Sequence, residues 1–266
     1  MEMFLVEDMK KIAGRLLRTK LFWVGVAAFA LLFAMFWHGR DGTEPTIVDV
    51  QSKKIPIYCV ESEEKVVALS FDAAWGNEDT AQILKVLADN DVKATFFMTG
   101  GWVDKYPDDV KAIAEAGHTL GNHSQNHKNM SQLSVEECKE ELMSVHNKVK
   151  ELTGVEMELF RPPYGDYNDM VVDTAFEIGY YPIQWSVDSL DWKNYGVQNI
   201  VDTVVNHKAL DSGAIILMHN GAEYTAQALQ QVIDGLKEKG YSFVTIDELI
   251  KRENYSIDHT GKQISK

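Results

Sequence analysis

The chain has 266 residues, with 26 lysines and arginines against 40 aspartates and glutamates, so its formal net charge at pH 7 is −14. A hydrophobic fraction of 45% and a charged fraction of 25% exclude a disordered or fibrous protein. Two cysteines are too few for a disulfide scaffold or a four-cysteine zinc module, and the acid excess argues against a nucleic-acid partner because phosphates attract positive surfaces.

The first 40 residues differ from the rest in charge, because they carry +3 and leave about −17 for the remainder. Residues 21–37 contain no charged or strongly polar side chain, which is the short end of the length of a membrane-spanning helix. Five basic residues precede this segment and one follows it. The positive-inside rule therefore predicts a cytoplasmic tail at 1–20, a signal-anchor at 21–37, and a single-pass cell-membrane protein whose remaining chain is extracytoplasmic.

Two other interpretations of residues 21–37 stay open. A cleaved signal peptide is disfavoured because large aromatic side chains stand where a small-residue cleavage site is needed, and a buried core helix is disfavoured because the segment is apolar all round. Outside the cytoplasm a disulfide between Cys59 and Cys138 is allowed, but two unpaired small apolar side chains fit the sequence equally well.

Beyond the anchor, short β-rich runs alternate with helical patterns. Residues 38–59 are predicted as a linker with first strands at 47–50 and 55–58, residues 60–252 as one domain, and residues 253–266 as a C-terminal tail. About seven strand–helix units in series predict an α/β protein with a distorted (β/α)7 TIM-like barrel, with a doubly wound open sheet as the alternative. The predicted strands are 65–71, 93–98, 118–121, 157–161, 181–187, 213–218 and 241–246, and the clearest helices are 79–90, 107–116 and 134–152.

Polar clusters follow five of these strands, at residues 71–76, 122–127, 161–165, 188–192 and 219–221. Active sites of parallel barrels form where the strands end at their carboxyl side. We therefore predict one site that is built from all five clusters.

Three side chains in the first two clusters suit hydrolytic chemistry. His123 and His127 are four residues apart, so one turn can direct both imidazoles at a divalent ion such as zinc. Asp72 ends an apolar strand and suits a general base. Taken singly, each has an ordinary alternative, because solvated loop histidines and a helix-capping aspartate give the same pattern.

The later clusters supply a candidate acid and a brace. His219 ends a buried strand and suits a general acid, with Asp191 or Asp188 to orient it and raise its pKa. Arg161, followed by two prolines, suits a forked ion pair with a carboxylate such as Asp72. A structural histidine and a surface ion pair are the alternatives, but the whole set describes metal-assisted hydrolysis.

The motifs FDAAWG, HSQNH, RPPYG, DSLDW and LMH, in this order, resemble the five motifs of the polysaccharide deacetylase (NodB-homology) family, carbohydrate esterase family 4. The resemblance covers about residues 60–252, and the aromatic first motif is similar to that of the membrane-anchored, sporulation-type members. It implies a distorted barrel of roughly seven strands. It also implies removal of N-acetyl groups from aminosugars in peptidoglycan or a chitin-like glycan.

The resemblance also assigns roles by position: a catalytic set, a pair of metal ligands and the walls of an acetyl pocket. These are Asp72 as base with Arg161 as its brace, His219 as acid with Asp191 to tune it, His123 and His127 as metal ligands, the backbone N–H of Tyr164 as oxyanion donor, and Trp192 and Leu217 as pocket walls.

One position departs from the family pattern. The first motif usually has a second aspartate, the third metal ligand, where this chain has Ala73. Two histidines alone leave a divalent ion under-coordinated, so its affinity falls. The sequence therefore supports two hypotheses, a zinc-dependent extracytoplasmic deacetylase and a catalytically impaired glycan-binding protein.

Overall fold

The apolar runs near residues 66–71 and 214–218 form the two central strands of a single mixed sheet in the computed structural model, which describes residues 53–266. Every residue of Val66–Ala73 is buried, and so are six of the seven residues of Ala214–Asn220, as expected for strands that are covered on both faces. The strands are β1 (Cys59–Val60), β2 (Val66–Ala73), β3 (Thr95–Met98), β4 (Thr119–Asn122), β5 (Leu159–Phe160), β6 (Tyr181–Pro182), β7 (Val187–Asp188), β8 (Ala214–Asn220), β9 (Ser242–Phe243), β10 (Tyr255–Ile257) and β11 (Lys262–Ser265).

Seven of the strands follow one another in parallel, in the order β7, β8, β2, β3, β4, β5 and β6. Within residues 53–266 no ladder joins β6 to β7. We call the opening between β6 and β7 the seam. The segment before β2 lies there, because Ile57 bridges to Ile183, next to β6, while Cys59 pairs with Ala214 in β8. The sheet is therefore a partial barrel, and the predicted distorted (β/α)7 barrel is confirmed in its seven parallel strands but not in its closure.

Helices follow most of the parallel strands, which gives the alternation that the sequence predicts. The three clearest predicted helices agree within one residue at each end with α1, α3 and α4. The helices are α1 (Thr80–Asp89), α2 (Gly100–Lys105), α3 (Pro107–Glu115), α4 (Val135–Thr153), α5 (Asp169–Glu177), α6 (Val197–Val205), α7 (Thr225–Glu238) and α8 (Ile246–Leu249), and short 3-10 turns lie at Met130–Gln132, Pro163–Gly165 and Asp191–Lys193.

Helix α4 begins with a capping box. The Ser134 hydroxyl accepts a hydrogen bond from the Glu137 amide at 3.2 Å, and the Glu137 carboxylate accepts one from the Ser134 amide at 2.8 Å. Two backbone donors that the helix leaves without partners are thereby satisfied. The helix ends at Gly154, whose φ of 76° is the left-handed conformation that glycine adopts without steric cost.

Side chains of β2 alternate between two layers, and this alternation positions the site. Leu69, Phe71 and Ala73 belong to the apolar layer that packs under the helices. The even-numbered residues point to the inner face of the curved sheet, where Ala68 joins a second apolar cluster. Asp72 therefore lies on the inner face at the carboxyl end of β2, and Ala73 lies on the opposite face.

The structure also bears on the predictions for the C-terminal tail, the cysteines and the membrane anchor. Residues 253–266 are no loose tail, since β10 and β11 form an antiparallel pair and β11 adds to β1. Cys59 and Cys138 are not joined by a disulfide. No helix within residues 53–266 has the length and apolar character to cross a bilayer. The predicted anchor at 21–37 and the predicted strand at 47–50 lie outside the described residues.

Candidate active site

The five predicted polar clusters surround one cavity of about 390 Å³ at the carboxyl ends of the parallel strands. Of the predicted site residues, all except two line the cavity directly. Arg161 and Asp191 lie behind it, where both are fully buried. The lining residues are Asp72, Ala74, Trp75, His123, His127, Pro162, Tyr164, Trp185, Asp188, Trp192, Leu217 and His219.

The predicted brace between Arg161 and Asp72 is present as a buried ion pair. Arg161 Nη1 donates to Asp72 Oδ1 at 2.7 Å, and Nη2 donates to the Ser70 hydroxyl at 2.9 Å and the Gln184 carbonyl at 3.2 Å. The guanidinium also lies 4.2 Å from the centre of the Phe97 ring. Burial raises the pKa of Asp72, but Arg161, His123 and His219 together outweigh it, with Arg161 first, and hold the pKa below its usual value. The carboxylate is therefore ionised at neutral pH.

The histidine pair lies beside this carboxylate. His123 Nδ1 donates to the Arg161 carbonyl at 2.7 Å, which turns Nε2 towards Asp72 Oδ2 at 3.5 Å. The ring centre of His127 is 4.9 Å from that of His123. Burial lowers the pKa of His123 to about 4 and lowers that of His127 as well. Both imidazoles are therefore neutral at physiological pH, the state that a metal ligand requires.

A hydrogen-bonded turn holds the two histidines. Asn122, at the end of β4, donates to the Leu142 carbonyl of α4 at 2.7 Å and accepts from the Ser124 amide at 3.0 Å. The Ser124 hydroxyl then accepts from the His127 amide at 3.0 Å. Ser124 and His127 have φ of 66° and 52°, a strained left-handed conformation that surrounding contacts must hold. Sequence analysis did not assign these supporting roles to Asn122 and Ser124.

The donor set around the histidines is incomplete for a metal ion. Ala73 is fully buried on the face of β2 opposite Asp72, and its methyl group cannot ligate. Asp72 Oδ1 is already occupied by Arg161. Within residues 53–266, no three His, Cys, Asp or Glu side chains are grouped so as to hold a metal ion. Two neutral imidazoles line the same cavity, but the residues present do not complete a three-ligand zinc site.

His219 and Asp191 form the second charged pair of the cavity. His219 Nδ1 lies 2.7 Å from Asp191 Oδ1, and the His219 amide donates to Asp191 Oδ2 at 2.7 Å. The Thr225 hydroxyl donates to the same Oδ2 at 2.6 Å. Burial lowers the pKa of His219, but the carboxylates of Asp191, Asp72 and Asp188 together outweigh it, so the net pKa is raised. His219 therefore holds a proton to a higher pH than an ordinary histidine.

The structure decides between the two aspartates that the sequence offered as partners of His219. Asp188 Oδ1 accepts from the Leu190 amide at 2.9 Å and so shapes the turn after β7. Leu190 has a φ of 54°, and the turn brings Asp191 under His219. Asp191 is thus the orienting residue, and Asp188 lines the cavity.

The remaining predicted residues form the mouth and wall of the cavity. Leu217 is buried in the wall, while Tyr164 and Trp192 are 69% and 48% exposed at the mouth. The Tyr164 ring lies edge-on to His127 with ring centres 4.5 Å apart, and its φ of 59° sets the backbone of the turn after β5. Two tryptophans that sequence analysis did not assign, Trp75 and Trp185, complete the lining.

The family of the chain follows from comparison with known proteins. Residues 60–183 match the polysaccharide deacetylase family. A peptidoglycan-N-acetylglucosamine deacetylase of Bacillus cereus is 40% identical over 197 residues, which cover 72% of this chain and 91% of that protein. The peptidoglycan-N-acetylmuramic acid deacetylase PdaA of Bacillus subtilis is 34% identical over 73% of this chain and 74% of that protein. The chain therefore belongs to the polysaccharide deacetylase family, carbohydrate esterase family 4.

Solved structures show the same fold. The solved structure of Bacillus subtilis PdaA, a family 4 carbohydrate esterase, matches with a TM-score of 0.69 and 33% identity, over 73% of this chain and 84% of that one. BA3943 of Bacillus anthracis, a pseudoenzyme of the same family, matches with a TM-score of 0.70 and 35% identity, over 79% of this chain and 73% of that one. Active and inactive members of the family thus share this architecture.

Proposed function

We propose that this protein is an extracytoplasmic deacetylase that hydrolyses N-acetyl groups of aminosugars in peptidoglycan or a chitin-like glycan. The observation that carries the proposal is the pairing of two charged groups across one cavity, an ionised Asp72 held by Arg161 and a His219 held by Asp191. Environments that push two titratable groups apart in pKa are typical of a general base and a general acid. The named relatives, which deacetylate peptidoglycan aminosugars, support the substrate class.

The proposed reaction uses this chain's own groups as follows. Asp72 accepts a proton from water as the water oxygen bonds to the acetyl carbonyl carbon. The backbone N–H of Tyr164 stabilises the negative oxygen that results. His219 then donates a proton from Nε2 to the sugar nitrogen, the C–N bond breaks, and acetate and a free amine leave. Trp192 and Leu217 enclose the acetyl methyl group.

A second candidate function is supported by Ala73. With only His123 and His127 as neutral nitrogen ligands, a glycan can occupy the cavity while a divalent ion binds weakly. The related BA3943 is a pseudoenzyme, and a mutant of it with restored enzymatic activity matches this chain at 38% identity and a TM-score of 0.70. The alternative is therefore a catalytically impaired glycan-binding protein.

Acetate release separates the two candidates. The full chain is incubated with N-acetylglucosamine oligomers and with peptidoglycan, with zinc, cobalt or manganese supplied. We expect acetate release, and a fall of about 10²–10⁴ in kcat for Asp72→Asn and for His219→Ala. Glycan binding without acetate release would establish the binding protein instead. Rates that are unchanged in both variants would show that the acid and base are assigned wrongly.

The incomplete metal site gives a test that does not depend on activity. We expect Ala73→Asp to unfold at a lower temperature than the wild type without metal, because it buries a carboxylate in an apolar layer. Because the family places its third metal ligand at this position, zinc should draw the new carboxylate out of the apolar layer towards His123 and His127 and restore part of that stability. Zinc should also bind at least about tenfold more tightly than to the wild type, since even an outer-shell partner changes metal affinity by such factors. Competition with a chromogenic chelator measures the affinity, and Ala81→Asp, which adds a carboxylate to the exposed face of α1, is the control. Equal zinc affinities in all three proteins would contradict the role given to position 73.

The anchor remains a proposal as well. We propose that residues 21–37 hold the protein in the cell membrane with residues 1–20 in the cytoplasm, from the apolar length and the flanking charges. The protein should then stay in the membrane fraction after alkaline carbonate extraction, and protease added to protoplasts should digest its C-terminal domain. Release by carbonate, or a mature N-terminus beyond residue 37, would show that there is no anchor.

A further inference from the structure

The indole of Trp75 stacks on the imidazole of His219 at the rim of the active-site cavity. The ring centres are 5.1 Å apart and the ring planes differ by 26°. Trp75 is 49% exposed, so its indole is not enclosed by the core and its position depends on this contact and on its backbone. Trp75 belongs to the FDAAWG motif but takes no part in the proposed reaction.

The backbone next to Trp75 is tied to the strand that carries His219. The Gly76 carbonyl accepts one hydrogen bond from Trp102 Nε1 at 3.0 Å and another from Asn220 Nδ2 at 3.1 Å. Asn220 directly follows His219 in β8, and its Oδ1 accepts from the Thr80 hydroxyl at 3.0 Å. The same amide side chain therefore links the segment after Trp75 to the residue after His219.

A second tie lies one residue further on. The Gly221 amide donates to Asp79 Oδ1 at 2.8 Å. Gly221 has a φ of 90°, and a Cβ there would approach the Gly76 amide nitrogen to 2.9 Å, so the two backbones are in close contact. The β2–β8 register also sets Asp72 opposite His219. The indole and the imidazole are thus held on two segments that cannot slide past each other.

Asp191 alone leaves one motion of the His219 ring unrestrained. Its carboxylate fixes the ring at Nδ1, a single edge, about which the imidazole can still rock. A nearly parallel aromatic face removes that rocking, because offset stacking has a preferred separation and tilt. A protonated imidazole gains further attraction from the face of an indole. Among residues 53–266, no protein group hydrogen-bonds to His219 Nε2, so the orientation of that atom depends on how the ring is held.

We propose that Trp75 is a positioning residue that holds the His219 imidazole in the orientation that directs Nε2 at the substrate. This inference rests on the proposed function only in that His219 is the acid of that reaction. Trp75 is distinct from Trp192, the other half-exposed tryptophan of the cavity mouth, for which no stacking on a histidine is found within the described residues. The competing role for Trp75 is a platform for a sugar ring, which would act on substrate binding and not on His219.

The first experiment is NMR of the full chain without substrate, with the His219 ring resonances assigned by comparison with His219→Ala. In Trp75→Leu we expect the His219 ring protons to shift downfield, because they lose the indole ring current, and the ring order parameter to fall because rocking is released. Trp75→Phe should keep most of the ring-current shift and most of the order parameter of the His219 ring. Trp192→Leu, matched in exposure, should change neither. His219 resonances and order parameter that are the same in Trp75→Leu and wild type would overturn the proposal.

The second experiment is steady-state acetate release by the wild type, Trp75→Leu and Trp75→Phe, with folding checked by near-UV and far-UV circular dichroism. We expect Trp75→Leu to lower kcat about tenfold with KM nearly unchanged, since a misaligned acid loses part of its contribution, and Trp75→Phe to recover most of the rate. A loss carried by KM would show a sugar platform and overturn the positioning role. If the wild type releases no acetate while the NMR results hold, the proposed function fails and the positioning of His219 by Trp75 stands.

Discussion

The Arg161 guanidinium is fully buried, and the Asp72 carboxylate is its one close counter-charge within the described residues. Asp72→Asn leaves that guanidinium without a negative partner, so we expect the free energy of unfolding to fall by about 3–5 kcal/mol in urea titrations. The double variant Asp72→Asn/Arg161→Met removes both charges and should recover part of the loss. Asp108→Asn, at an exposed helix start, should change stability by less than about 0.5 kcal/mol. Equal stabilities of single and double variants would contradict an uncompensated charge as the cause.

The raised pKa of His219 predicts how the stability of the protein depends on pH. Its pKa is raised in the folded protein mainly by Asp191 against the effect of burial, so Asp191→Asn should lower the pKa of His219 in an NMR titration. A raised folded pKa contributes stability below the unfolded pKa, about 6.5, and this contribution is lost as pH rises through the folded pKa. Asp191→Asn should therefore lose more stability at pH 5.5 than at pH 9. Asp188→Asn is the control, with a smaller change in pKa, and a loss independent of pH would refute the linkage.

Some residues of the site could be predicted from the sequence pattern, and others could not. Asp72, His123 and His219 were predicted because each is a reactive type at the end of a β-rich run. Ser70 also lies two residues before Asp72 on the same strand face, so the period of two could have identified it. Thr225, by contrast, reaches Asp191 from the start of α7, and no local pattern connects the two.

At the scale of one element, helix α4 is coupled to the histidine turn. Glu141 on this helix is buried, and its carboxylate accepts from the Asn126 amide and side chain, both at 2.7 Å. Asn122 reaches the same helix through the Leu142 carbonyl. The position of α4 therefore affects the conformation of the turn between His123 and His127.

The capping box of α4 is accordingly expected to matter for stability. Ser134→Ala removes the hydroxyl that accepts from the Glu137 amide, and we expect the free energy of unfolding to fall by about 0.5–2 kcal/mol. Ser144→Ala, inside the same helix, should be neutral or slightly stabilising, because alanine is the better helix former. Thermal unfolding of the two variants side by side checks this. An equal loss in both would mean that the cap contributes nothing specific.

At the scale of the whole molecule, the C-terminal hairpin stabilises the seam of the partial barrel. The hydrogen bonds that depend on it include those from the Tyr58 amide to the Gly261 carbonyl, from the Glu61 amide to the Gln263 carbonyl, and two between Gln263 and the Lys251 backbone. Ending the chain after residue 253 should therefore lower the free energy of unfolding by about 2–6 kcal/mol. Lys266→Ala, which removes only an exposed side chain, is the control. A truncated protein as stable as the control would show that residues 253–266 are a tail after all.

The sequence by itself determined most of the order of strands and helices between residues 60 and 252, the parallel sheet and the five clusters that end its strands, because periodicity, capping and turn residues act over short distances. It did not separate β6 from β7 within 181–187 or predict the strands of 253–266. The tertiary structure alone decided which aspartate meets His219, that Trp75 covers that imidazole, that the sheet is open between β6 and β7, and that the last residues close the N-terminal edge. These outcomes depend on contacts between residues far apart in the chain, whose geometry is set by how whole layers pack and not by local preference.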